Sequence, residues 1–396
     1  MTHVREIVAP RPVSALRGWL GVGAVTAGTF TVVTSEMLPV GLLTPIGSAL
    51  RVSEGRAGLA LTVTGLVAAV SAPVVTAASG RLERKVVLCG LMAVLALGNF
   101  GAAWAPTFGV LIGARVLVGI GMGGVWAIAA SLAARLVPAR SVIAATSLVF
   151  SGVAVASVLG IPAGTFLGAL AGWRITFVAA AGLALLVLAA MAALLPRLPA
   201  VETMALGGVL RLGGQPGLRV ALLVVAFLVT GHFAAYTYVR PVLEEVTGVG
   251  AQTIGTLLLA YGIAGVAGNF AAGAAAARAP RRTLVVIGSV LGGAAIALPL
   301  LGASLPQAVA LMIVWGLSYG GVSVSAQSWV FAASPQHREG ASALFTGVFN
   351  AAIALGSLIG GLAADGIGLA AALWLGGALA VVAVLVATFR AATPRP

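Results

Sequence analysis

One cysteine, Cys89, in 396 residues leaves no disulfide framework and no cysteine-based metal cluster to build. Histidine is nearly as scarce, with only His3, His232 and His337, and they form no metal-ligand cluster. Charged residues make up 8% of the chain, and nine of them are acids. No phosphate-cradling loop, nucleotide-binding pattern or pair of catalytic carboxylates occurs, which excludes ATP-driven work and leaves no enzymatic centre. Nothing in the chain calls for a cofactor or a metal.

What fills the sequence instead is apolar: 60% of residues are hydrophobic and the mean hydropathy is +1.13. A hydrocarbon core takes about 20 apolar residues to cross. Twelve runs of that order lie near 18–45, 57–79, 86–104, 108–132, 142–169, 175–195, 219–240, 251–277, 283–302, 306–331, 341–363 and 367–389. The expected fold is therefore an all-α integral membrane protein of 12 transmembrane helices. Its first run is too long for a signal-peptide core and is expected to remain as a helix.

A net charge of +13 invites a nucleic-acid partner, but the placement of the basic residues argues against one. With twelve spans, 17 of the 22 Lys and Arg fall on the side of the two termini; Arg51, Arg56, Arg174 and Arg240 fall opposite, and Arg115 lies within a span. That bias is the positive-inside rule, placing both termini in the cytoplasm of a multi-pass protein of the inner (plasma) membrane.

Shifted by 197 residues, the sequence meets itself: "GIGMGGV" from Gly119 falls on "GLSYGGV" from Gly316, and Pro138 falls on Pro335. The same shift carries Arg81, Arg84 and Lys85 onto Arg278, Arg281 and Arg282. One offset across separate regions indicates a duplicated six-helix unit, and two such bundles related by a pseudo-twofold axis suit alternating access around a midplane site. The division read from this is a tail at 1–17, bundles at 18–195 and 219–389, a cytoplasmic linker at 196–218 with a short surface helix around 202–212, and a tail at 390–396.

In "TVVTSEMLPVGLL", Glu36 is the one acid of the nine that falls inside a span. An ionised group there costs a few kcal/mol or more, about what makes a cavity, a partner or a proton necessary. Glu36 is thus a proton carrier, a carboxylate held permanently by hydrogen bonds or a fixed ion pair, or, depending on where the span ends, an acid of the outer headgroup region. Arg115 is its natural partner: with span ends at Thr44 and Phe108, both residues lie about 10 to 12 Å below the same boundary. The other reading of Arg115 is an anchor bonded to carbonyls at a helix break.

The fifth span carries Gly152, Gly160, Pro162, Gly164 and Gly168, small residues four apart with a proline that removes one backbone bond. It is read as a bending and packing seam between the halves, or as a tight interface within one. His232, in the seventh span beside the position equivalent to Glu36, either shares the proton relay or serves as a neutral hydrogen-bonding residue. Tyr236 and Tyr238 line the cavity or belong to an interfacial aromatic belt. Trp126, Asn269, Gln327 and Asn350 are polar tips in mid-span, placed to bond a solute or a neighbouring helix.

These residues resemble the major facilitator superfamily, and within it the proton-coupled drug-efflux branch that includes arabinose, purine-nucleoside and chloramphenicol exporters. "TSEMLPVGLL", "RVLVGIG", "GIPAGTFLGALAGWRITF", "GHFAAYTYVRPVLE" and "YGIAGVAGN" carry the likeness. The resemblance implies export driven by proton entry and a multidrug-resistance type of role. It gives Arg115 a part in coupling and Gly160, Pro162, Gly164 and Gly168 that of an antiporter motif. "TAASGRLERK" departs from the family's loop motif, with Gly80 where an Asp is usual. Ile161 likewise stands before Pro162 in place of the commoner Gly.

The function expected is proton-coupled efflux of a small organic solute by a monomer whose partners are that solute, protons and the bilayer. An uncoupled facilitator or sugar exporter would keep its gradient dependence when Glu36 is neutralised. A transporter-shaped sensor or scaffold would bind without turnover.

Overall fold

The computed structural model describes residues 15–78, 82–198 and 211–389, and twelve of its helices are long and apolar enough to cross a membrane. In chain order the first bundle comprises α1 (Ala15–Leu50), α2 (Glu54–Ala78), α3 (Arg84–Ala103), α4 (Phe108–Leu136), α5 and α6 (Trp173–Leu194). Helix α5 runs through Val142–Val155, a π turn at Ala156–Gly160, and Ile161–Ala171. The second bundle comprises α7 (Pro216–Tyr236), α8 (Ala251–Ala276), α9 (Pro280–Leu301), α10 (Leu305–Gly320 and Val322–Ala333), α11 (Arg338–Gly366) and α12 (Leu369–Phe389). Arg81 and most of the surface helix expected around 202–212 lie outside the described residues, although Arg211 and Leu212 are helical.

Besides α10, which breaks at Gly321, three helices depart from the simple runs expected of them. Helix α1 continues to Leu50 rather than ending near 45, because Pro39 and Pro45 are absorbed within it. Pro162 has no N–H and its ring crowds the carbonyl four residues back, and the turn just before it opens into the π form. Helix α7 stops at Tyr236 and resumes as a short turn, Val239–Val242, around Pro241.

Lipid tails are as apolar as leucine, so helices in a membrane associate through close packing of small residues. In the first bundle α2 packs on α4, α1 on α5 and α6, and α3 on α4 and α6. Six helices on, α8 packs on α10, α7 on α11 and α12, and α9 on α10 and α12. The duplication reaches single atoms. A Cβ on Gly119 or Gly123 would strike the carbonyls of Thr64 or Ala68 on α2, and one on Gly316 or Gly320 those of Tyr261 or Gly265 on α8. Every one of these pairs is related by the same offset of 197 residues. The bundles meet where α2 lies along α11 and where the second part of α5 lies along α8.

Candidate functional site

Proline decides where the first bundle is polar inside. Pro39 cannot donate to Ser35 four residues back, so that carbonyl is left without its helical partner. Arg115, fully buried on α4, supplies the missing donor: Nη1 donates to the Ser35 carbonyl at 2.8 Å and Nη2 to that of Glu36 at 2.9 Å. Its Nε reaches the Ala60 carbonyl of α2 at 3.0 Å. One guanidinium therefore lashes three helices together. Around it, Asn99 Nδ2 donates to Ser35 Oγ at 2.9 Å, and Thr64 Oγ1 donates to the Ala60 carbonyl at 2.8 Å.

Arg115 and Glu36 thus meet, but through the backbone of Glu36 and not its carboxylate. The one ion pair among the described residues is Arg240 with Glu244. The Glu36 side chain is 3% exposed and the only buried acid described, and its Oε1 has no hydrogen-bond partner. A span ending near Thr44 would place Glu36 eight residues before its end. Glu36 in fact lies fourteen residues before the end of α1 at Leu50, and the shared level is set by the Arg115 bonds.

The second bundle holds a column of rings. Tyr319 stacks on His232 with centroids 3.5 Å apart and planes 9° off parallel. His232 stacks in turn on Tyr236 at 5.0 Å, and Tyr236 on Tyr261 at 4.8 Å. Trp315 stands edge-on to His232, Tyr236 and Tyr261, and its Nε1 donates to His232 Nδ1 at 3.2 Å. That bond occupies the lone pair a second proton would need, so it holds His232 as a neutral donor through Nε2 and speaks against a relay role. His232 Nε2 and Tyr261 Oη are both buried without partners, and the Glu36 charge bears on the Tyr319 hydroxyl.

At the end of the bundles away from the chain termini, the halves are clamped. Pro45 leaves the Gly41 carbonyl unpaired as Pro39 does that of Ser35, and Arg240 Nη1 takes it from the other half. Arg240 Nε also donates to Glu244 Oε1 at 2.9 Å, while Thr44 Oγ1 donates to Glu244 Oε2 at 2.6 Å. Tyr238 donates to the Ser357 carbonyl at 2.8 Å, and Ser357 Oγ to the Gly58 carbonyl at 2.9 Å. Asp365 Oδ1 accepts from the Gly55 N–H at 2.9 Å, capping the N-terminus of α2 across the interface. Tyr238 is fully buried here, with its hydroxyl held between the Ser357 and Gly55 carbonyls of the two halves.

The other expected site residues are dispersed. The glycines of α5 face α1 in their own bundle, where a Cβ on Gly152, Gly160, Gly164 or Gly168 would strike Thr29, Thr34, Leu38 or Leu42. Contact with the second bundle comes from another side of this helix, where Phe166 fits against Gly255. Asn350 gives its amide to the Thr346 carbonyl of its own helix at 3.0 Å. Trp126, Asn269 and Gln327 are half-buried on α4, α8 and α10. Arg84 opens α3 as a buried residue, its N–H bonded to the Leu198 carbonyl at 2.9 Å, and Lys85 is half-buried beside it. Tyr261, Trp315, Tyr319, Asn99 and Arg240 were not singled out from the sequence. The signal was present as aromatic pairs four apart, His232 with Tyr236 and Trp315 with Tyr319, on consecutive turns of two helices.

The model of the Major Facilitator Superfamily matches residues 25–250 and again 221–396. Over 382 residues the chain is 35% identical to "Transcription regulatory protein OpdE" of Pseudomonas aeruginosa, covering 96% of this chain and 95% of that protein. It is 34% identical over 370 residues to "Purine ribonucleoside efflux pump NepI" of Escherichia coli, covering 93% of each. Among solved structures, a bacterial homologue of the human lysosomal transporter Spinster, inward-facing and occupied, superimposes with a TM-score of 0.81 at 17% identity, covering 97% of this chain and 98% of that one. The nucleoside transporter NupG, solved as a point mutant, does so with a TM-score of 0.75 at 14% identity, over 92% of this chain and 98% of that one.

Proposed function

Because this chain belongs to the major facilitator superfamily and is a transporter, we propose that it exports a small organic solute across the inner membrane in exchange for protons, by alternating access. The observation that carries the reading is Glu36: the one buried carboxylate among the described residues, with an unpartnered oxygen, beside a guanidinium whose bonds go to backbone carbonyls. Arg115 lowers the cost of a charge at this spot without neutralising the carboxylate by direct contact. A proton and the polar edge of a solute are then the groups left to compete for Glu36, and exclusion of one by the other is the simplest chemistry of exchange.

The moving units are residues 18–195 and 219–389, working as a monomer with both termini in the cytoplasm, as the bias of basic residues supports. The clamp of Arg240, Tyr238 and Asp365 would then close the outward side, and its release would open it. The efflux pump from Escherichia coli, alike over 93% of its length, supports export as the direction. Liposomes holding the purified protein and a pH dye test the proposal: adding a transported solute moves protons, and a solute that crosses without any pH change contradicts exchange.

A second reading has one observation in its favour, the likeness to a relative named a transcription regulatory protein. On that reading the chain is a transporter-shaped sensor. It would bind solute in the same liposomes with neither solute nor protons crossing.

A further inference from the structure

The ring column of the second bundle is more than apolar filling. Its rings lie in register, Tyr319 on His232 on Tyr236 on Tyr261, with interplanar angles of 9°, 19° and 26° in that order. Rings that merely fill a core adopt edge-on and tilted pairs as readily as stacked ones. Here the edge-on partners, Trp315 and Phe233, brace the stack from its sides. Burial along the stack is uneven. His232, Tyr236 and Tyr261 are sealed, whereas Tyr319 is only half-buried and has no stacked neighbour other than His232.

Tyr319 follows the buried Ala308, Met312 and Trp315 of α10 on the side away from the exposed Ile313, Val314 and Leu317. Tyr319 also lies close enough to Glu36 for that charge to bear on its hydroxyl. Two further polar atoms in the same column, His232 Nε2 and Tyr261 Oη, are buried and unpartnered. An orphaned acceptor on one bundle and the half-buried end of a ring stack on the other describe a ligand that is flat and carries a donor on its rim.

We propose that Tyr319 is the stacking platform for a planar heteroaromatic ring in the transported solute, with Glu36 accepting from an N–H on the rim of that ring. The proposal names the substrate class of the site described above and rests on that site being the transport site. A column pre-stacked in this way presents a ring face without ordering any side chain on binding, which favours flat bicyclic rings over sugars and flexible aliphatic solutes.

Equilibrium dialysis of the purified full-length protein at one fixed pH tests this with three probes: inosine, hypoxanthine as the ring without the sugar, and ribose as the sugar without the ring. Hypoxanthine and inosine bind and ribose binds at least about tenfold more weakly, as expected when ring stacking supplies the affinity. Tyr319→Phe keeps the ring and holds inosine within about twofold of the parent, whereas Tyr319→Leu weakens it by about tenfold. Ribose binding as tightly as inosine, or no binding of either ring compound, overturns the proposal without recourse to a variant. Undiminished inosine binding by Tyr319→Leu overturns it too. Dialysis imposes no gradient, so a failure of proton exchange leaves this result untouched. Proton exchange with some other solute, alongside no ring binding, removes the platform and leaves the exporter reading standing.

Discussion

Glu36→Gln removes one proton site and almost no volume, and the effect on coupling can be worked from the burial of acids. Glu36 is the only described acid that is buried, so a single proton is expected to exchange for each solute. In liposomes clamped at zero potential and made one pH unit more acidic inside, protons leaving drive a neutral solute inward. One proton per solute then supports an inside-to-outside ratio of about 10, equivalent to about 1.4 kcal/mol. The Gln side chain keeps a hydrogen-bonding oxygen, so the solute still crosses, but it settles at a ratio of about 1 because nothing couples it to the gradient. Radiolabelled solute, sampled to steady state at matched and unmatched pH, reads both values. A Gln variant that still reaches a tenfold ratio would show that the proton does not travel on Glu36. A parent ratio near a hundredfold would refute the one-carboxylate reasoning, since it demands a second carrier.

The remaining predictions concern how the site is held. Arg115→Lys keeps the charge but replaces a fork on three carbonyls with one ammonium; at about 1.5 kcal/mol or more for each charged bond lost, it costs about 3 kcal/mol. The thermal unfolding midpoint of the purified variant reads this, and an unchanged midpoint would mean the carbonyl bonds do not hold the helices. Gly164→Leu drives its side chain into Leu38 and destabilises by about 1 to 3 kcal/mol, while Gly182→Ala, which meets nothing within 4 Å, leaves stability unchanged or slightly raised in the same assay. Arg240→Gln gives up the bonds to Gly41 and Glu244 and shifts the halves toward opening at that end. With Cys89→Ser as background, maleimide labelling of a cysteine placed at Ala354, buried on α11 against Gly65 of α2, rises about tenfold, and equal labelling with or without Arg240 shows that Arg240 does not hold the halves closed.

How much of this was legible beforehand follows from the kind of interaction involved. Membrane spans are written in runs of apolar residues, because each must meet the hydrocarbon core by its own composition, and the duplication was written in a constant offset. Glu36 and Arg115 stood out for the same reason, as charges where water is scarce. What the sequence by itself determined is therefore a twelve-helix duplicated membrane protein with one conspicuous acid. Only the tertiary structure decided that Arg115 bonds to the carbonyls freed around Pro39, that Tyr238 and Arg240 clamp the halves, and that rings from α7, α8 and α10 form one column. The physical reason is range. Hydropathy and proline act on neighbours along the chain, whereas a hydrogen bond or a stacked ring depends on which helix faces arrive at the same depth, and packing alone sets that.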